Sequence, residues 1–173
     1  KILIDIGPDF RTQFLRNQLD SIDLVLITHE HNDHIIGLDD IRAINFTQKK
    51  GIPIYAEERV GEQIKQRFPY AFSDKHYPGL PVVSLHNLNM DSFSYKDVLI
   101  MPIRIWHGKL PILGFRINDF AYITDANRIE EAEANMRHLR EQLLHETRRA
   151  DAIKAAQSDT DIEIRQLQRT IRS

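Results

Sequence analysis

The chain has 173 residues, a formal net charge of -2 at pH 7 and no cysteine. That length suits one domain, or one domain with an appendage, and allows a buried core. The missing cysteine excludes disulfides, thiolate metal sites and cysteine nucleophiles, so any metal must be held by nitrogen and oxygen.

No apolar run approaches the roughly 20 residues that a membrane span needs, and the near-neutral charge advertises no polyanion partner. The chain opens on Lys1 without a secretory pattern, and "KILIDIG" reads as the middle of a fold. A cytoplasmic protein with no membrane contact is the expectation.

In chain order, "KILID" is a short strand that stops at "GPD", where Pro8 suits the first turn of a helix running to about Gln18. "DLVLI" is a β-branched run of strand length. It leads into "THEHNDH" and then a helical pattern, "GLDDIRAINFTQ". "IPIYA" predicts a strand, "EERVGEQIKQRF" a helix, and "PYAFSDKHYPGLP" a loop rich in turn residues. Strands then dominate: "PVVSL", "VLIMPIRIW", "ILGFRI" and "FAYIT", with "GKLP" and "ND" as turns. Strands mixed with helices on more than one face predict a layered α/β sandwich.

From residue 128 to 173 there is no glycine, proline or aromatic residue. Apolar residues from Ile129 through Met136, Leu143 and Ile153 to Ile171 follow a heptad-like series. "TDIE" at 160–163 resembles a capping box that restarts a helix. Residues 1–127 are therefore expected to form the main domain, and 128–173 a charged helical tail.

Four candidate metal ligands, His29, His31, Asp33 and His34, occupy six positions directly after a buried strand. In an extended segment, side chains two apart share a side, so His29 and His31 can reach one ion together. Asp33 and His34 fall where the chain turns and can serve a second ion nearby. Imidazole with carboxylate suits zinc best, with manganese or iron next. Asp5, His107 and Asp125 each follow an apolar run, as the cluster does. Strand ends along one sheet edge are where α/β proteins gather their chemistry. His76, His86, His138 and His145 carry no such context. Trp106 is expected in the core or as a pocket wall.

"THEHNDHIIGL" resembles the H-x-H-x-D-H signature of the metallo-β-lactamase superfamily, and "LIDIG", "WHG" and "YITDA" match its other landmarks in order. The resemblance implies an αββα sandwich with two divalent ions, zinc first and manganese second. It places His29, His31 and His107 on one ion, Asp33 and His34 on the other, and Asp125 between them. Asp5 would orient the histidine loop from behind.

Asp125, where lactamases would use cysteine, argues against β-lactam hydrolysis. "HIIGLDDIR" and "HGKLPILGFRI" are more similar to ribonuclease Z and the phosphoribosyl cyclic phosphate phosphodiesterases. The implied activity is hydrolysis of a small, cyclic phosphodiester by a hydroxide bridging the two metals, with Asp33 orienting it. Arg42, one to two helical turns beyond His34, is expected either on a solvated helix face or, as the weaker alternative, against the phosphate. The alternatives are a tRNA 3'-processing ribonuclease, which would grip its substrate with a Gly/Pro-rich arm, and a non-catalytic metal-binding domain with an interaction tail. No such arm and no basic stripe is present, so a nucleic acid partner is not expected.

Family members carry two further strands before "LIDIG", and a late strand leading to a last histidine for the second metal; neither matches within residues 1–173. The expectation is a domain incomplete at both ends, or a coiled-coil appendage that mediates self-association through the tail or an exposed sheet edge. One ion should bind tightly and the second weakly, unless His138 or His145 supplies the missing ligand.

Overall fold

The structure is a computed structural model that describes residues 1–73, 79–129, 143 and 146–154. The chain divides into two compact units, Lys1–Ile129 and Glu130–Ser173. In the second unit, residues 146–154 are helical. His76, His138, His145 and "TDIE" lie outside the described residues.

The first unit holds two four-stranded sheets. In the first sheet, β1 (Ile2–Ile4), β2 (Leu24–Leu26), β3 (Ile52–Ala56) and β4 (Val83–Asn87) lie in sequence order. All neighbours there are parallel. Parallel strands need long crossovers. Helical segments supply the first two: α1 (Phe10–Arg16) joins β1 to β2, and α2 (Asn32–Ile35) and α3 (Ile41–Gln48) join β2 to β3. Helix α4 (Glu58–Arg67) lies in the third crossover, from β3 to β4. Right-handed crossovers in one direction place successive helices on the same face.

That face carries the larger core. Phe10, Ile35, Leu38, Ile41, Ile44, Val60 and Ile64 pack on Val25, Ile27, Ile52, Ile54 and Ala56. Alternation along β2 then sends Leu24 and Leu26 the other way, against Ile100, Leu113 and Phe115 of the second sheet. β2 is buried on both faces, which is why it reads as a continuous apolar run.

The second sheet is an antiparallel meander of β5 (Phe93–Tyr95), β6 (Val98–His107), β7 (Leu110–Ile117) and β8 (Phe120–Tyr122). Helices, sheet and sheet stack in that order, giving the α/β sandwich architecture.

Three local expectations are corrected. The helix expected over 37–48 begins instead as a short α-turn at Asn32, continues as a 3-10 segment over Ile36–Asp40, and becomes α-helical at Ile41. The cause is Gly37, whose N–H bonds the Ile6 carbonyl at 2.9 Å. A Cβ there would lie 2.4 Å from the Gly7 carbonyl oxygen. β5 has no counterpart among the expected strands: it is three residues long, and its turn at Lys96 (φ 53°) lacks the usual Asn-Gly signal. The turn expected over "GKLP" is tighter, with β6 running through His107 and β7 starting at Leu110 around Gly108 (φ 64°). Among the described residues no helix is long and apolar enough to cross a membrane.

Candidate metal centre

The site collects the last residue of β6 and the chain just beyond β1, β2 and β8. Asp5 follows β1 with φ 59°, a left-handed conformation that aspartate tolerates better than most residues. Its carboxylate accepts the Thr28 N–H at 2.8 Å, the Thr28 hydroxyl at 2.9 Å and His34 Nδ1–H at 2.8 Å.

These bonds set the histidine tautomers. A carboxylate only accepts, so His34 carries a proton on Nδ1 and turns Nε2 towards the site. Thr28 gives its hydroxyl proton to Asp5 and therefore accepts from His29 Nδ1 at 2.9 Å. His29 Nε2 is left with its lone pair facing the site. One buried aspartate thus orients two imidazoles, the usual task of the groups behind metal-binding histidines.

His29 is fully buried, and burial, reinforced by His34 and His31, lowers its pKa from near 6.5 to about 4. His34 shifts upward, chiefly through its hydrogen bond to Asp5 and against the effect of burial. Its Nε2 lies 2.8 Å from Asp125 Oδ2.

Two ligand groups result. His29, His31 and His107 each offer one nitrogen within 4.8 Å of the others, and so do His29, His34 and Asp125 with their nitrogens and carboxylate oxygen. His29 Nε2 faces His31 Nδ1 at 3.0 Å, a place for one proton or one cation. Asp125 Oδ2 also stands 3.6 Å from His29 Nε2. This donor set of imidazole nitrogen and carboxylate oxygen fits a divalent ion of the zinc or manganese type.

Asp33 belongs to neither group. Its side chain is 73% exposed, with Oδ2 3.5 Å from His34 Nε2. Arg42 stands apart: it is exposed on α3 and lines a groove with Phe10, Phe14 and Leu15 that contains none of the ligands. His86 stacks on Tyr55 at 4.8 Å and bonds Ser84, outside the ligand groups.

Three contributing residues were not singled out in the sequence. Thr28 relays between Asp5 and His29. Asn127 accepts the Gly108 N–H at 2.9 Å and donates its own N–H to the Trp106 carbonyl at 2.9 Å, which lays the Asp125 loop along the end of β6 beside His107. Glu30, between two ligands, pairs with Arg59. Only Thr28 carried a signal, as the polar residue ending an apolar run. Trp106 is partly exposed, with the Arg128 guanidinium 4.8 Å above its ring.

Comparison with known proteins identifies the family and the fold. A family model described as the beta-lactamase superfamily domain matches residues 1–166. An octanoyltransferase of Porphyromonas gingivalis is 44% identical over 134 residues, covering 77% of this chain and 27% of that protein. A ribonuclease Z of Prochlorococcus marinus is 26% identical over 128 residues, covering 68% of this chain and 39% of that protein. The crystal structure of a diphosphatase from the PhnP family superposes with a TM-score of 0.68 at 34% identity, covering 78% of this chain and 51% of the other. The chain thus spans between about a quarter and a half of the relatives it matches.

Proposed function

This chain belongs to the metallo-β-lactamase superfamily, and from that premise we propose that it is a metal-dependent hydrolase of small phosphodiesters, with a cyclic phosphate as the preferred substrate. The observation that carries the reading is the pair of ligand groups sharing His29, with the Asp125 carboxylate between His29 and His34. His31 and His107 would complete one position, and His34 and Asp125 the other. Two divalent ions, zinc first, would when bound act as Lewis acids on the phosphodiester and make water acidic enough to react at neutral pH.

The chain's own residues supply orientation and proton handling. Asp5 and Thr28 hold His29 and His34 with their Nε2 atoms directed at the site. Asp33 is the solvent-facing carboxylate of the cluster and is assigned the proton given up by the attacking water. Hydrolysis then forms one P–O bond from that water and breaks the bond to the leaving oxygen, which takes up the proton. A PhnP-family diphosphatase at 34% identity supports phosphorus chemistry. Cytoplasmic location belongs to the same proposal.

A second reading, cleavage of a tRNA precursor, has the similarity to ribonuclease Z in its favour. The test is one panel run with added zinc or manganese: a cyclic nucleotide, an aryl phosphodiester, a tRNA precursor and an octanoyl thioester. The thioester is included because of the octanoyltransferase relative. Turnover of the small phosphodiesters, abolished by Asp125→Ala, is expected. Cleavage of the tRNA precursor alone would reverse the ranking. Metal-bound protein inactive on every substrate would favour a non-catalytic domain.

A further inference from the structure

Most ligands at the site have a visible anchor. His29 is held by Thr28 and His34 by Asp5; the Asp125 loop is held through Asn127. His31 is different: it is exposed, and among the described residues its ring is hydrogen-bonded only to His29. Its position therefore depends on the backbone around it.

That backbone is clamped one residue earlier. The Glu30 side chain is only 16% exposed and is paired with Arg59 of α4. Arg67, at the other end of the same helix, donates to the Glu30 carbonyl. Arg59 donates its second nitrogen to the Pro111 carbonyl of β7 at 2.8 Å and lies 3.8 Å from Glu57. Glu57 holds Arg104 of β6 at 3.0 Å. One guanidinium thus joins the His29–His31 segment to the hairpin that carries His107. Glu30 Oε2 is buried without a partner. Such an oxygen costs stability, a cost that proteins accept where geometry matters more.

We propose that Glu30 is a positioning residue. Held by Arg59 and Arg67, it fixes His31 against His107, so the three-histidine group depends on it while the His29–His34–Asp125 group does not. The proposal rests on the metal-binding part of the functional reading and is independent of which substrate is cleaved.

The test is titration of the full chain with zinc by calorimetry, and with cobalt by visible absorption, for the unaltered protein and for Glu30→Gln, Arg59→Met and Arg59→Lys. Loss of an outer anchor typically costs about 10–100-fold in metal affinity. Glu30→Gln and Arg59→Met are expected to lose that much for one ion only and to change the cobalt spectrum; metal-free melting should fall little in Glu30→Gln and further in Arg59→Met, which leaves the Glu30 carboxylate without its cation. Arg59→Lys should be intermediate, because a point charge can pair with Glu30 but cannot also reach Pro111. If Arg59→Met fails to fold, the isosteric Glu30→Gln decides. Unchanged affinity for both ions in Glu30→Gln overturns the proposal, as does equal weakening of both ions with a large fall in metal-free melting. No binding by the unaltered chain would instead overturn the metal reading, and the proposal with it.

Discussion

At the scale of single residues, the site is governed by where protons sit. Asp5 takes three donors and so decides which nitrogen of His34, and through Thr28 which nitrogen of His29, stays unprotonated. Asp5→Ala should therefore weaken ion binding by about 10–100-fold without removing any ligand, measured by calorimetric titration; affinity equal to the unaltered protein would show that the ligands orient themselves.

The pH dependence of the metal-free fold has two opposed parts. His29 titrates at about 4 in the fold, against 6.5 ordinarily. Between those values the unfolded chain binds a proton that the folded chain refuses, so this stability is present above 6.5 and is lost as pH falls towards 4. His34 shifts upward, so its contribution is present below the ordinary value and fades as pH rises through its folded value. The His29 shift by itself should make the metal-free melting temperature fall from about pH 7 to about pH 5, and the His34 shift works against that fall. His29→Gln should flatten that fall and His34→Gln should steepen it. A melting profile of His34→Gln that does not move over this range would contradict the burial argument.

At the scale of elements, the metal loop is seated by backbone. Ile6 N–H donates to the His34 carbonyl at 2.7 Å, and Gly37 N–H to the Ile6 carbonyl at 2.9 Å. The two glycines allow this approach: a Cβ on Gly7 would stand 2.6 Å from the Asp33 oxygen, and one on Gly37 2.4 Å from the Gly7 oxygen. Neither obstacle is a flexible side-chain end. Gly7→Ala and Gly37→Ala should each destabilise the fold by roughly 1–3 kcal/mol, the usual cost of overpacking. Gly7→Ala should also reduce ion affinity, because it pushes on Asp33. Gly61, whose Cβ would meet only Leu85 at 3.9 Å, is the control and should tolerate alanine. Thermal melting with and without zinc reads both effects. The central strand makes a separate case: Leu26 is fully buried between the sheets, so Leu26→Ala should cost about 2–5 kcal/mol in denaturant unfolding.

For the molecule as a whole, an ion bound only by the folded chain adds stability, about 2.7 kcal/mol at a hundredfold excess over its Kd. Chelation should therefore lower the melting temperature, and zinc should restore it in two steps. The first step belongs to a tight ion and the second to a weak one, since His29 is shared: once it serves the three-histidine group, His34 and Asp125 are what remains of the second group among the described residues. Two equally tight ions would point to a donor outside the described residues.

The same scale shows what was legible in the sequence. The candidate ligand types, their order and their place after apolar runs could be read directly, because a strand end and an i, i+2 pair are local features. So could β2, whose apolar run matches burial on both faces of a parallel sheet, and β3, buried on one face and half-buried on the other. Local patterning could not show that His29 serves both ligand groups, that Asp125 comes to His34 while Asp33 stays solvent-facing, or that Arg42 lies on another face. Nor could it find β5, or the path from Glu30 through Arg59 to Pro111. Those features depend on how two sheets stack and how closely glycine lets two backbones approach. Periodicity determines which side of an element a residue takes; only packing determines what it meets there.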